Sequence, residues 1–394
     1  MPNADAGRYA FFGRNASVLL DIIRFAAAFA VAATHLPVFV IGPRLLPPQS
    51  GNAAVCVFFV LSGFVIRFVT VSRVCTAREY WIDRGSRIYS VVVPALLLTI
   101  FFEGAAQLFH PAAFHHFAEP YQWSFVPGQL ASNLTFTTGY WGYGATPLSN
   151  GPFWSLTFEC VYYVLYGLLR YTRRLRWFLV PLILLMVGPS IALLFPVWLL
   201  GVLLYDVYNR LHARRAGIAI SGVLCFLAVA AAAIFRHPIV HFLTITDVTQ
   251  RRIAAAHLAA SLPLGRHLFH EASVPWLDRL SISFYFTGTV LAFVLLFLLL
   301  SLDRYVPNMP RPAAARIRTV ADSTFTLYLL HAPFFVLVFT LLGHPAPSWL
   351  LGGIIFAAAI VLSVVLAIQF DALKNWMRSV LRRRFVPTTA RQSV

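Results

Sequence analysis

The sequence predicts an all-α polytopic membrane protein: a bundle of about ten transmembrane helices with both termini cytoplasmic. Three observations predict it. Of 394 residues, 59% are hydrophobic and only 11% charged, with a mean hydropathy of +0.74, more apolar surface than a soluble domain keeps from water. The apolar residues form blocks of about 20 without period-two alternation, which selects helices over a barrel. Basic residues cluster between alternate blocks, as topology signals do.

The predicted spans are roughly 17–41, 53–71, 87–109, 153–170, 176–188, 189–208, 216–235, 281–301, 320–342 and 348–370. The first is too long for a signal-peptide core and lacks a small-residue cleavage site, so it is a retained helix. Only Gly188-Pro189 and Pro196 interrupt the fifth and sixth. The apolar segment 253–264 is too short to span comfortably and reads as re-entrant or interfacial.

Arg8 and Arg14 precede the first span, and Arg73, Arg78 and Arg84 follow the second. Arg170, Arg173, Arg174 and Arg176 follow the fourth, Arg210, Arg214 and Arg215 the sixth, and Arg304, Arg311, Arg316 and Arg318 the eighth. All fall on one side if there are ten spans, which makes that side cytoplasmic. The opposite stretch from His110 to Pro152 has no lysine or arginine. The loop from Arg236 to Arg279 departs from the rule, with five arginines; long loops obey it weakly. The division expected is a cytoplasmic tail over 1–16, a membrane domain over 17–370 and a basic cytoplasmic tail over 371–394.

The net charge of +17 is thus read as membrane orientation and contact with anionic lipid headgroups, not nucleic acid. Cys56, Cys75, Cys160 and Cys225 lack metal-ligand spacing and read as buried free thiols. The sequons at Asn15 and Asn133 have no secretory context and read as accidental.

Ionisable groups inside spans cost roughly 2.5–3.5 kcal/mol each at a helix centre, so each needs a reason. Arg24 and His35 are eleven residues apart, three turns plus roughly 20°, which puts them on one face about 16 Å apart along the axis. Asp21 precedes Arg24 by three residues and can pair with it. Span two ends near the cytoplasm at Arg67, with Ser62 and Gly63 as packing residues. The following loop, REYWIDRGSRIY, adds Arg84, Arg87 and Tyr89 at the inner rim of span three. Arg24, Arg67, Arg84 and Arg87 therefore read as a cationic cluster, whose planar donor forks suit phosphate. In span four Asn150 is placed to cap the helix and Pro152 to fit its first turn. Glu159 then falls at a depth comparable to His35, so the two read as a general-base pair on the outer side. Tyr328 and His331 stand three residues apart near mid-depth in span nine. No local spacing matches a zinc site.

Five stretches together resemble the acyltransferase-3 family of bacterial integral membrane O-acyltransferases. Arg24-x10-His35, with Asp21 before it, is similar to that family's first-span signature. VFFVLSGFVI (57–66), RGSRIYS (84–90), WSLTFECVYY (154–163) and TLYLLHAP (326–333) resemble later motifs in the right order. Ser90 stands where the family usually has proline, and Tyr162-Tyr163 replace its Phe-Tyr pair. The resemblance implies location in the bacterial inner membrane and a cytoplasmic acyl-CoA donor, commonly acetyl-CoA. It implies transfer to a hydroxyl of a cell-surface or exported glycan, with no metal. His35 and Glu159 are then the expected catalytic residues. Arg24, Arg67, Arg84, Arg87 and Tyr89 are expected to bind the donor, and Trp154, Ser155, Tyr328 and His331 to contact substrate.

Two rival readings use the same polar groups. A proton-coupled transporter also places Arg, Glu and His inside spans, but it predicts repeated halves, and the sequence shows no internal repeat. A membrane scaffold would use these groups only for helix association.

Overall fold

Arg14–Leu36 (α1), Gln49–Ser72 (α2) and Ala77–Phe109 (α3) open a chain in which every element is helical among the described residues. The structure, a computed structural model, describes residues 13–36, 49–72, 75–111, 123–142, 146–245, 282–343, 346 and 348–385. The remaining helices are Val126–Leu134 (α4), Trp154–Tyr171 (α5), Arg176–Val187 (α6), Pro189–His212 (α7) and Gly217–Ile245 (α8). Ile282–Tyr305 (α9), Arg311–Asp322 (α10), Thr324–Leu341 (α11) and Trp349–Phe385 (α12) complete the order.

A helix lies on each of the ten predicted segments. Eight helical segments among the described residues are long and apolar enough to cross a membrane: α1, α2, α3, α7, α8, α9, α10 with α11, and α12. α5, which carries Glu159, and the 12-residue α6 are outside that set. The expected interfacial segment 253–264 lies outside the described residues, as do residues 246–281 of the basic loop; α8 continues to Ile245, past the predicted end of that span.

Helix α3 departs most from expectation. The arginine-bearing stretch is not a loop but the first three turns of a 33-residue helix. Thr76 starts it with a capping box: its hydroxyl accepts from the Glu79 amide, and the Glu79 carboxylate accepts from the Thr76 amide. At about 1.5 Å per residue the helix runs for about 50 Å, longer than the roughly 30 Å needed to cross an apolar layer. Arg84, Arg87 and Ile88 thereby share one helical face.

Helix α2 is central, packed on α1, α7 and α9, while α11 packs on α1, α3 and α12. At the α2–α7 crossing Gly63 lies against the Trp198 carbonyl and Gly201 against the Val60 carbonyl, too close for any side chain. Gly188, at φ 81°, separates α6 from α7 and lets the Trp141 backbone pack against it.

The first and last described helices, α1 and α12, are each tied to a neighbouring element. Asn15 is buried and donates to the carbonyls of Val306 and Pro307 at 2.9 and 3.0 Å, so its amide serves packing. The predicted tail from 371 continues α12 to Phe385, with Arg378 and Arg382 at 2.9 and 3.2 Å from Asp83 of α3.

Candidate functional site

Helices α1, α2, α3 and α5 and the start of α11 enclose a cavity of about 780 Å³, counting its open mouth. Each wall is a helical row. Ser155, Glu159 and Tyr163 repeat every four residues along α5, and Phe58, Ser62, Val65 and Ile66 follow the same period on α2. Arg24 comes from α1, Arg84, Arg87 and Ile88 from α3, and Thr324, Phe325 and Tyr328 from α11.

The lining is cationic, with three guanidiniums and Glu159 as its carboxylate. Arg24 has Asp21 at 3.7 Å, and Asp21 also faces Arg318 of α10 at 3.5 Å. Arg84 is only 9% exposed, and its Nε lacks a partner among the described residues. Its guanidinium lies over the Tyr163 ring, 5.9 Å from the centroid. Arg87 forms no ion pair or side-chain hydrogen bond among the described residues. A buried and a half-buried cation, neither in an ion pair among the described residues, invite an anion. Glu159 accepts from Ser62 at 2.9 Å and from Tyr163, so it is held within this cavity.

Deeper along α5 and α11, the Ser155 and Tyr328 hydroxyls meet at 2.7 Å, with the Tyr328 ring edge-on to Phe58. One turn further along α11 stands His331, completely buried. Its Nδ1 is 2.9 Å from the Leu327 carbonyl, and its Nε2 is 3.3 Å from His35 Nδ1. His35 Nδ1 is also 2.9 Å from the Val31 carbonyl.

The structure thus brings Arg24, Arg84, Arg87, Ser155, Glu159 and Tyr328 to one cavity, and His35 to His331. It does not bring His35 to Glu159: no hydrogen bond or ion pair joins them, because Glu159 turns to α2 and its own helix. Arg67 is absent from the lining, its charge taken by Asp206 of α7 at 2.8 Å. Tyr89 points outward and donates to the Leu134 carbonyl at 3.1 Å. Trp154 stands edge-on to Phe158 outside the lining. Asn150 does not cap its helix; its amide donates to Thr99 and the Leu329 carbonyl.

Three residues escaped sequence reasoning. Tyr163 and Asp206 take up Glu159 and Arg67, and Glu103, fully buried, accepts from the Ser149 amide at 3.0 Å and from its hydroxyl. A carboxylate inside an apolar span was the available signal for Asp206 and Glu103. Among the described residues no group of His, Cys, Asp and Glu is arranged to hold a metal ion. Cys75, in the turn before α3, has its thiol pushed up by partial burial, which makes it a poor nucleophile.

Fold and site together define a multi-pass membrane protein whose helices enclose an arginine-lined cavity. The chain belongs to the acyltransferase-3 family: the family model described as acyltransferase domain matches residues 18–368. No curated protein and no solved structure shows a significant match.

Proposed function

We propose that this protein is a bacterial inner-membrane O-acyltransferase, with about ten spans and both termini cytoplasmic. It moves an acyl group, acetyl in the simplest case, from cytoplasmic acyl-CoA to a hydroxyl of a cell-surface or exported glycan. The observation that carries the reading is the convergence of Arg24, Arg84 and Arg87 on one cavity, two of them without an ion pair among the described residues, in a chain of this family. Arg84 and Arg87 stand two turns or so beyond Arg78 and the capped start of α3, at the basic end of the bundle. That is the end at which a cytoplasmic, phosphorylated donor arrives.

In this reading the guanidinium forks hold donor phosphates, where a planar fork outperforms an ammonium. The apolar walls, Phe58, Ile88 and Phe325, accept the uncharged arm. One of the paired hydroxyls of Ser155 and Tyr328 donates to the other, and the remaining O–H of the pair is the donor for the thioester carbonyl as charge builds on its oxygen. His35 takes the proton of the acceptor hydroxyl as that oxygen attacks the acyl carbon, and the thiolate leaves. Glu159 offsets part of the arginine charge while the cavity awaits its anion.

The test is thiol release from acyl-CoA by protein in nanodiscs, with a surface-glycan fraction as acceptor. Release that requires both the glycan and His35 supports the reading. Release unaffected by His35→Ala, or transport of the donor without its consumption, overturns it.

A further inference from the structure

We propose that His331 is a positioning residue that fixes the tautomer of His35 and leaves His35 Nε2 as the proton-accepting atom, an inference that rests on reading His35 as the general base. A carbonyl oxygen only accepts, so His331 Nδ1, 2.9 Å from Leu327 O, carries its proton. A neutral imidazole has one donor and one acceptor, which makes His331 Nε2 the acceptor. Its neighbour at 3.3 Å is His35 Nδ1. That nitrogen therefore faces two acceptors, His331 Nε2 and Val31 O, and must itself be protonated.

Val31 O is a crowded acceptor. It takes the Thr34 hydroxyl at 2.7 Å and lies 2.9 Å from His35 Nδ1. It is also the carbonyl four residues before His35, the one to which the helix directs the His35 amide. Among the described residues, His331 Nε2 is an acceptor that no other group uses. Three of the pair's four ring nitrogens are thus committed, and His35 Nε2 has no partner among the described residues. The rings stand 5.1 Å apart at 47°, and the complete burial of His331 keeps water from competing for its Nε2. When Nε2 of His35 takes a proton, its Nδ1–H bond to His331 becomes charge-assisted, so the same contact that selects the tautomer stabilises the cation formed.

The experiment is ¹⁵N NMR of histidine-labelled protein in nanodiscs, the His35 signals assigned by their loss in His35→Gln. The wild type is expected to show a protonated Nδ1 and a bare Nε2 at His35. In His331→Ala the Nε2–H form appears, whereas His331→Gln, whose amide oxygen supplies the missing acceptor, keeps the wild-type pattern. Acyl transfer by His331→Ala then falls at least about 10-fold in kcat and no further than the roughly 10²–10⁴-fold that a general base contributes. Its donor KM stays within about twofold, and the Gln variant recovers most of the rate. A wild-type spectrum with Nε2 protonated, or an unchanged tautomer in His331→Ala, overturns the proposal. Expected spectra with no change in transfer by any His35 or His331 variant leave the positioning intact and remove His35 as the base.

Discussion

Glu159 accepts a hydrogen bond from Ser62 at 2.9 Å, and that bond holds the carboxylate inside the arginine-lined cavity, away from His35. Its role is then electrostatic. Glu159→Gln keeps an oxygen for Ser62 and removes the charge. The donor KM is expected to hold or fall, with kcat reduced less than about tenfold. Steady-state kinetics at low salt checks this. A kcat loss above roughly 100-fold with unchanged KM would return Glu159 to the base's side.

Arg84→Met and Arg87→Met each remove a cavity guanidinium while keeping most of the side-chain bulk. A hydrogen bond to a charged group contributes about 1.5–3 kcal/mol, so donor affinity is expected to weaken roughly 10- to 150-fold per variant. Calorimetric titration with acyl-CoA reads the effect, which should shrink as salt rises. Unchanged affinity in both variants would mean that the cavity is not the donor site.

Arg67 gives the contrasting case. Its side chain is 26% exposed and pairs with Asp206 at 30%. A partly solvated pair contributes on the order of 1 kcal/mol or less. Arg67→Met is expected to lower thermal stability slightly without altering donor affinity, and a double-mutant cycle with Asp206→Asn should recover a coupling of that size. A loss of donor affinity matching that of Arg84→Met would place Arg67 in the site.

The α2–α7 crossing sets the cavity wall that carries Phe58 and Ser62. Gly63→Val and Gly201→Val drive a side chain into the facing carbonyl, and overpacking of this kind costs typically 1–3 kcal/mol or more. Fluorescence-detected size exclusion after heating is expected to show a lower midpoint for both. Ser62→Ala serves as the neighbour that keeps the packing. Equal midpoints for wild type and both glycine variants would contradict the tight crossing.

Much of this was legible in the residues, and the remainder was not for identifiable reasons. The apolar blocks announce the helices, and Arg24-x10-His35 announces its own face because helical periodicity is fixed. The Arg84–Arg87 stretch read as a loop because charge obscured the Thr76–Glu79 capping box that starts α3 early. Glu159 was legible as a carboxylate inside a span, but its surroundings were not: it lines the cavity with Arg24, whereas His35 stands beside His331, and only packing assigns each a partner. Arg67 looked equivalent to Arg84 by charge and depth, yet Asp206, 139 residues later, takes it up. His331 was visible as a histidine in a span, but its place against His35 depends on α1 packing on α11.

The most direct test of the central claim is mass analysis of surface glycans from cells that lack the protein, carry the wild type, or carry His35→Ala at equal expression. The account predicts an acyl increment on the glycan with the wild type and its absence in the other two. Acylation that persists in His35→Ala cells, or that is the same with and without the protein, would contradict it.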